Sequence, residues 1–172
     1  MFNIADRIKG ISVQLSHPLS HSIFPKMTKA YYEGKDSGNK LFKYIFLILL
    51  TITLLSFILI NIYIKEVVSY FTDQDILKIV GILRILLFSF IINVIEELMV
   101  NQYFVPNGLY KYINKLKYLI FTTVLITGLP LIYLFGIKGA AYANLISELT
   151  GLIYILCKFN QTKNKPNIQE IF

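Results

Sequence analysis

The stretch YIFLILLTITLLSFILINIYI, residues Tyr44–Ile64, decides the class of fold. It runs for 21 residues without a charged side chain. An α-helix rises about 1.5 Å per residue and the hydrocarbon core of a bilayer is about 30 Å thick, so about 20 apolar residues are needed to cross it. The stretch therefore predicts a transmembrane helix, which we place over residues 42–64.

The composition of the whole chain is that of a membrane protein. Of its 172 residues, 55% are hydrophobic and 16% are charged, whereas a soluble domain carries about 25% charged residues. Apolar stretches predict helices over residues 3–27, 42–64, 79–104, 117–136 and 139–157. We therefore expect residues 1–160 to form an all-α, polytopic integral membrane bundle of about five transmembrane helices, followed by a polar cytoplasmic tail over residues 161–172.

The charge and the cysteine content argue against several other kinds of protein. The net charge is +7, but the lysines lie between apolar stretches and form no separate basic domain, so no nucleic-acid partner is predicted. The single cysteine, Cys157, can form neither an internal disulfide nor a cysteine-based zinc site. No cofactor is predicted.

The lysines between the apolar stretches predict the orientation of the chain in the membrane. Three regions that must share one side hold eleven lysines, and the opposite loops hold three, at Lys65, Lys78 and Lys138. The eleven are Lys26, Lys29, Lys35, Lys40, Lys43, Lys111, Lys115, Lys117, Lys158, Lys163 and Lys165. Because lysine and arginine accumulate in cytoplasmic loops, we expect the eleven-lysine side and the C-terminus to be cytoplasmic.

The first predicted helix carries a polar stripe. Its members recur at steps of three and four residues: Arg7, Gly10, Gln14, His17 and His21. A spanning helix must turn such a stripe toward a wet cavity or toward partner helices, whereas an amphipathic helix ending at Pro25 would lie on the membrane surface. His17 and His21 have the spacing of a metal-binding pair, but no third ligand is evident, and no metal site is predicted.

Polar residues also interrupt the later apolar stretches. Asn93, Glu97 and Asn101 share one face of a helix, although Glu96 and Glu97 could instead lie near the headgroups and end the buried stretch. Glu148 lies in the middle of the last predicted helix, one turn after Asn144, and therefore needs a partner, a water pocket or a proton. A neighbouring strip of small residues predicts close helix packing: Ala140, Ala143, Ser147 and Gly151.

Five motifs in order resemble the polysaccharide flippases of the O-antigen type, in the multidrug/oligosaccharidyl-lipid/polysaccharide exporter superfamily. They are ADRIKG (Ala5–Gly10), PLSHSIFPKM (Pro18–Met27), ILRILLFSF (Ile82–Phe90), VPNGLYKY (Val105–Tyr112) and GIKGAAYANLISE (Gly136–Glu148). The last resembles the family's G-x-x-GAA-x-A-x-x-ISE pattern, and the resemblance covers nearly the whole chain.

The resemblance implies a fold and a function. Members of this family have about twelve helices in two bundles and move a lipid-linked oligosaccharide across the bacterial cytoplasmic membrane, so this chain would be most of one bundle and would lack an N-terminal bundle. Its implied partners are the lipid-linked glycan and membrane lipids, and it would be a transporter rather than an enzyme. The resemblance implies that Arg7, Gln14, His17 and His21 line a cavity. Buried polar contacts or ion coupling are expected from the positions in the predicted helices of Asn93, Glu97, Asn144 and Glu148. A small membrane scaffold and another exporter of the superfamily are the alternatives.

The predicted orientation can be tested with single cysteines in a Cys157→Ser background. We expect Ser37→Cys and Asn164→Cys to resist a membrane-impermeant thiol reagent in intact cells, because both positions lie in lysine-rich regions. Asp73→Cys should react. The reverse pattern of labelling would contradict the orientation.

Overall fold

The computed structural model describes residues 22–71 and 76–163, and within these residues all regular structure is helical. Helix α1 covers residues 22–33 in this described part. The other helices are α2 (Lys35–Ile62), α3 (Ile64–Phe71), α4 (Ile76–Met99), α5 (Tyr110–Phe135) and α6 (Ile137–Lys163), and a π-helical turn (Val100–Phe104) extends α4.

Four helices of the described part are long and apolar enough to cross a membrane. They are Lys35–Ile62, Ile76–Phe104, Tyr110–Phe135 and Ile137–Lys163, the second of which includes the π-helical turn. This confirms the predicted class, an all-α polytopic membrane protein. The fifth predicted spanning helix, residues 3–27, lies mostly outside the described residues.

The first predicted helix does not end at residue 27. Residues 22–33 are helical, because buried Met27, Ala30 and Tyr31 continue its apolar stripe at helical spacing and pack on the core. The gap of residues 28–41 left between the first two predicted helices shrinks to Gly34, whose φ of 156° favours glycine. Glycine is a common loop signal in a sequence, but Gly38 lies inside α2.

The four spanning helices form a row in the order α2, α4, α6, α5, and α3 packs on α4 and the end of α2. Helices α4 and α6 run parallel, at an offset of 55 residues where Asn93 meets Glu148. Helices α5 and α6 are antiparallel, because Gly136 alone links them and has a φ of 58°. The last two helices therefore form a tight antiparallel hairpin.

One end of the row, which we call the lysine-rich end, gathers the start of α2, the π-helical turn and the end of α6. Tyr103 lies at its centre, with ring contacts to Tyr31, Phe42 and Phe159. Burial and the neighbouring Tyr103 raise the pKa of Tyr31, so its hydroxyl stays protonated and donates to Asn39 Oδ1 at 3.2 Å. This arrangement places the three predicted lysine-rich regions at the same end of the molecule.

Helix α6 packs against α5 through a stripe of small residues at every fourth position. The small-residue stripe consists of Gly139, Ala143, Ser147 and Gly151, all of them buried. A Cβ added at Gly139 would collide with the backbone carbonyl of Leu131 on α5. Further along the stripe, Ala143 lies beside Gly128 of α5. Close backbone approach therefore joins the two helices. Ala140, a member of the predicted strip of small residues, is only partly buried, and the buried Gly139 takes its place.

We expect Gly139→Ala to destabilise the protein by about 1–3 kcal/mol, the usual cost of forcing extra atoms into a packed interface. The neighbouring atoms belong to the backbone of α5 and cannot rotate away. Gly81→Ala is the matched control, because a Cβ there meets nothing within 4 Å and alanine favours a helix. Thermal unfolding in detergent measures both variants, and equal melting temperatures would contradict the close approach.

Candidate functional site

The polar residues predicted in α4 and α6 meet inside the membrane-spanning part of the row. Asn93 Nδ2 donates a hydrogen bond to Glu148 Oε2 at 3.3 Å, which joins α4 to α6. Glu148 is 8% exposed. A carboxylate at this depth needs a donor because no water replaces the bond, and the amide of Asn93 supplies one.

Because α4 and α6 run parallel, further pairs of residues face each other along both helices. Glu96 lies one turn after Asn93 and faces Gly151, one turn after Glu148: a Cβ built on Gly151 would lie 2.5 Å from Glu96 Oε1. The same offset sets Ser89 opposite Asn144. We call this set of residues the polar seam: Ser89, Asn93 and Glu96 on α4, and Asn144 and Glu148 on α6.

Glu96 and Ser89 are the residues of the seam that sequence reasoning did not predict as site residues. Glu96 is 1% exposed and therefore does not end the buried stretch. That stretch continues through Leu98, Met99 and most of the π-helical turn. The spacing of Ser89, Asn93 and Glu96 by four and three residues indicates that they share one face of α4. The sequence does not show that this face turns toward α6, because that depends on the packing of the whole bundle.

Several polar atoms of the seam have no hydrogen-bond partner in the part of the chain that the structure describes. They are Ser89 Oγ, both carboxyl oxygens of Glu96 and Asn144 Nδ2. Asn144 is otherwise engaged through its backbone carbonyl, which accepts a hydrogen bond from Ser147 Oγ at 2.7 Å. Such atoms are rare in folded proteins and mark places where water, an ion or a proton completes the structure.

The other predicted residues lie apart from this arrangement or beyond the described chain. Glu97 is partly buried, and its carboxylate accepts a hydrogen bond from Asn101 Nδ2 at 3.4 Å within α4. Arg84 is exposed on α4, and it forms no ion pair in residues 22–71 and 76–163. The polar stripe from Arg7 to His21 lies outside the described residues, so its predicted cavity-lining role stays a prediction.

Within the described residues no cluster of three or more histidine, cysteine, aspartate or glutamate side chains could hold a metal ion. Lys117 of α5 is a cationic side chain that acts on Glu96, and it is exposed. Chemically, the seam can hold protons or water between two carboxyl groups.

No protein-family profile, curated protein or solved structure matches this chain.

We expect Asn93→Ala to lower the stability by about 1 kcal/mol, since hydrogen bonds between membrane helices contribute about 0.6–2 kcal/mol. Asn101→Ala is the matched control, because the hydrogen bond from its amide to Glu97 lies within one continuous helix, α4 with its π-helical turn. Thermal unfolding of both variants in one detergent gives the comparison. A larger loss for Asn101→Ala than for Asn93→Ala would contradict the interhelical role.

Proposed function

We propose that this chain forms most of one bundle of a polysaccharide flippase in the bacterial cytoplasmic membrane. The bundle would take part in moving a lipid-linked oligosaccharide from the inner to the outer leaflet. The observation that carries the proposal is the resemblance of five motifs, in order, from Ala5–Gly10 to Gly136–Glu148.

The places of these motifs in the fold support the proposal. The stretch Gly136–Glu148 forms the hairpin turn and supplies Gly139, Ala143 and Ser147, three members of the small-residue stripe, together with Glu148 of the seam. The stretch Ile82–Phe90 supplies the buried centre of α4. The stretch Val105–Tyr112 follows the π-helical turn and begins α5. The residues that carry the resemblance are thus those that position the helices.

The open shape of the row supports the need for a second bundle. Its end helices, α2 and α5, are largely exposed along their apolar lengths, and in the described part of the chain no extensive packing joins them. Transporters built from two repeats move one bundle against the other around a site between them. We therefore assign the second half of the transporter to a further helical bundle, and the lysine-rich end to the cytoplasmic side.

The anionic headgroup of the substrate would be bound by the polar stripe of the first predicted helix. Its Arg7 offers paired donors that match phosphate oxygens and keeps its charge when partly desolvated. Gln14, His17 and His21 would line the same cavity.

We expect Arg7→Ala to weaken binding of an undecaprenyl-pyrophosphate-linked oligosaccharide about tenfold. A hydrogen bond to a charged group contributes about 1.5–3 kcal/mol, and about 1.4 kcal/mol corresponds to tenfold. Arg7→Lys should lose part of this affinity, since lysine cannot form the paired contact. Retention of the glycolipid by the chain in nanodiscs is measured by native mass spectrometry.

Arg84→Ala is the matched control, because Arg84 is the other arginine of the chain and lies exposed on α4. It should leave binding unchanged. Equal retention by the Arg7 and Arg84 variants would reject the assigned contact. A chain that binds no glycolipid, but assembles stably with itself, would favour the scaffold alternative.

A further inference from the structure

The carboxyl group of Glu96 is enclosed, and within the described residues it has neither a hydrogen-bond donor nor a salt bridge. Its side chain is 1% exposed, and neither oxygen has a hydrogen-bond donor within the described residues. Moving an unpaired carboxylate into such surroundings costs far more than neutralising it. The geometry alone therefore favours a neutral carboxylic acid at this position.

The charged groups around Glu96 do not change this conclusion. Glu148 on α6 and Lys117 on α5 are the charged groups that act on its carboxyl. Glu148 repels a second negative charge, while Lys117 is exposed, so solvent or headgroups screen it. No salt bridge joins Lys117 to Glu96 in the described part of the chain. On α4 itself, neighbouring Glu97 adds a further acidic group, whose carboxylate accepts from Asn101.

The two buried carboxyl groups have unequal surroundings. Glu148 accepts a hydrogen bond from the amide of Asn93, and a donor of this kind favours the ionised form of a carboxyl group. Among the described residues, Glu96 has no such donor. When two nearby carboxyl groups share one proton, the proton is held most stably by the group that has no donor.

We propose that Glu96 and Glu148 form a proton-binding site between α4 and α6, in which one proton resides on Glu96 while Glu148 stays ionised beside Asn93. The proton lets α4 approach Gly151 of α6, where there is no side chain to separate the helices. Loss of the proton would place two like charges in the seam and weaken the contact between α4 and α6. This site goes beyond the proposed transport function and stands without it.

Infrared spectroscopy of the 172-residue chain in nanodiscs tests the site directly. A protonated carboxylic acid has its own C=O stretch, distinct from that of a carboxylate. At neutral pH we expect one such band from a buried acid, lost in Glu96→Gln and kept in both Glu97→Gln and Glu148→Gln. Glu97→Gln is the matched control, because it changes the adjacent, more exposed residue. Absence of the band in the wild type, or its survival in Glu96→Gln, overturns the proposal.

Thermal unfolding gives a second measurement, in which proton linkage fixes the direction of the change in stability with pH. An exposed glutamate loses its proton at about pH 4.3, so the unfolded chain would release a proton that the folded chain keeps. Stability must then fall as the pH rises. As the pH rises above about 4.3, Glu96→Gln should remove part of the wild-type fall in melting temperature, whereas Glu97→Gln should not. Identical slopes in all three proteins overturn the proposal.

A chemical probe needs no variant and covers the case in which Glu96→Gln fails to fold. Dicyclohexylcarbodiimide is apolar and adds to protonated carboxyl groups, and the labelled residue is identified by mass spectrometry of peptides from the wild type. An adduct on Glu96 that diminishes at alkaline pH supports the proposal. An adduct confined to Glu97 or Glu148 overturns it.

Discussion

Backbone contact between α5 and α6 is the constraint on which the rest of the bundle depends. Gly139 lies against the carbonyl of Leu131, and in a membrane such packing replaces the hydrophobic effect as the source of helix association. Because one glycine, Gly136, links the two helices, their antiparallel register is fixed at the turn. This register turns Glu148 and Gly151 toward α4, so the position of the polar seam follows from the small-residue stripe.

Sequence reasoning predicts the spanning helices well and their contacts poorly. The charge-free run Tyr44–Ile64 and the apolar stretch after Gly139 are long enough to cross the bilayer. Such stretches can be recognised from local composition alone. The importance of Glu148 is also local, because a short acidic side chain in mid-helix needs a partner. Glu96 was missed because its environment depends on α6, 55 residues further along the chain at their contact. The end of α1 was misplaced because packing of Tyr31 on Tyr103 outweighs local loop signals.

At the lysine-rich end, closely packed aromatic rings lie among charged side chains. Tyr103, in the π-helical turn, contacts rings from α1, α2 and α6, and its hydroxyl lies 3.3 Å from Thr162 Oγ1. Lys35 Nζ donates to the carbonyl of Thr162 at 3.4 Å, so a charged side chain also joins α2 to the end of α6. Aromatic packing thus holds together the helix ends that carry most of the lysines, and the charges at this end do not weaken its packing.

The two interfaces of α6 differ in what would be needed to separate them. Between α5 and α6, small side chains and backbone atoms are in direct contact, so any sliding creates either a collision or a void. Between α4 and α6, the seam contains polar atoms that have no hydrogen-bond partner among the described residues, namely Ser89 Oγ, Asn144 Nδ2 and the Glu96 carboxyl. Water entering this interface would satisfy those atoms, which lowers the cost of opening it. A change of shape within the row would therefore keep α5 and α6 together as a unit and displace α4 along the polar seam.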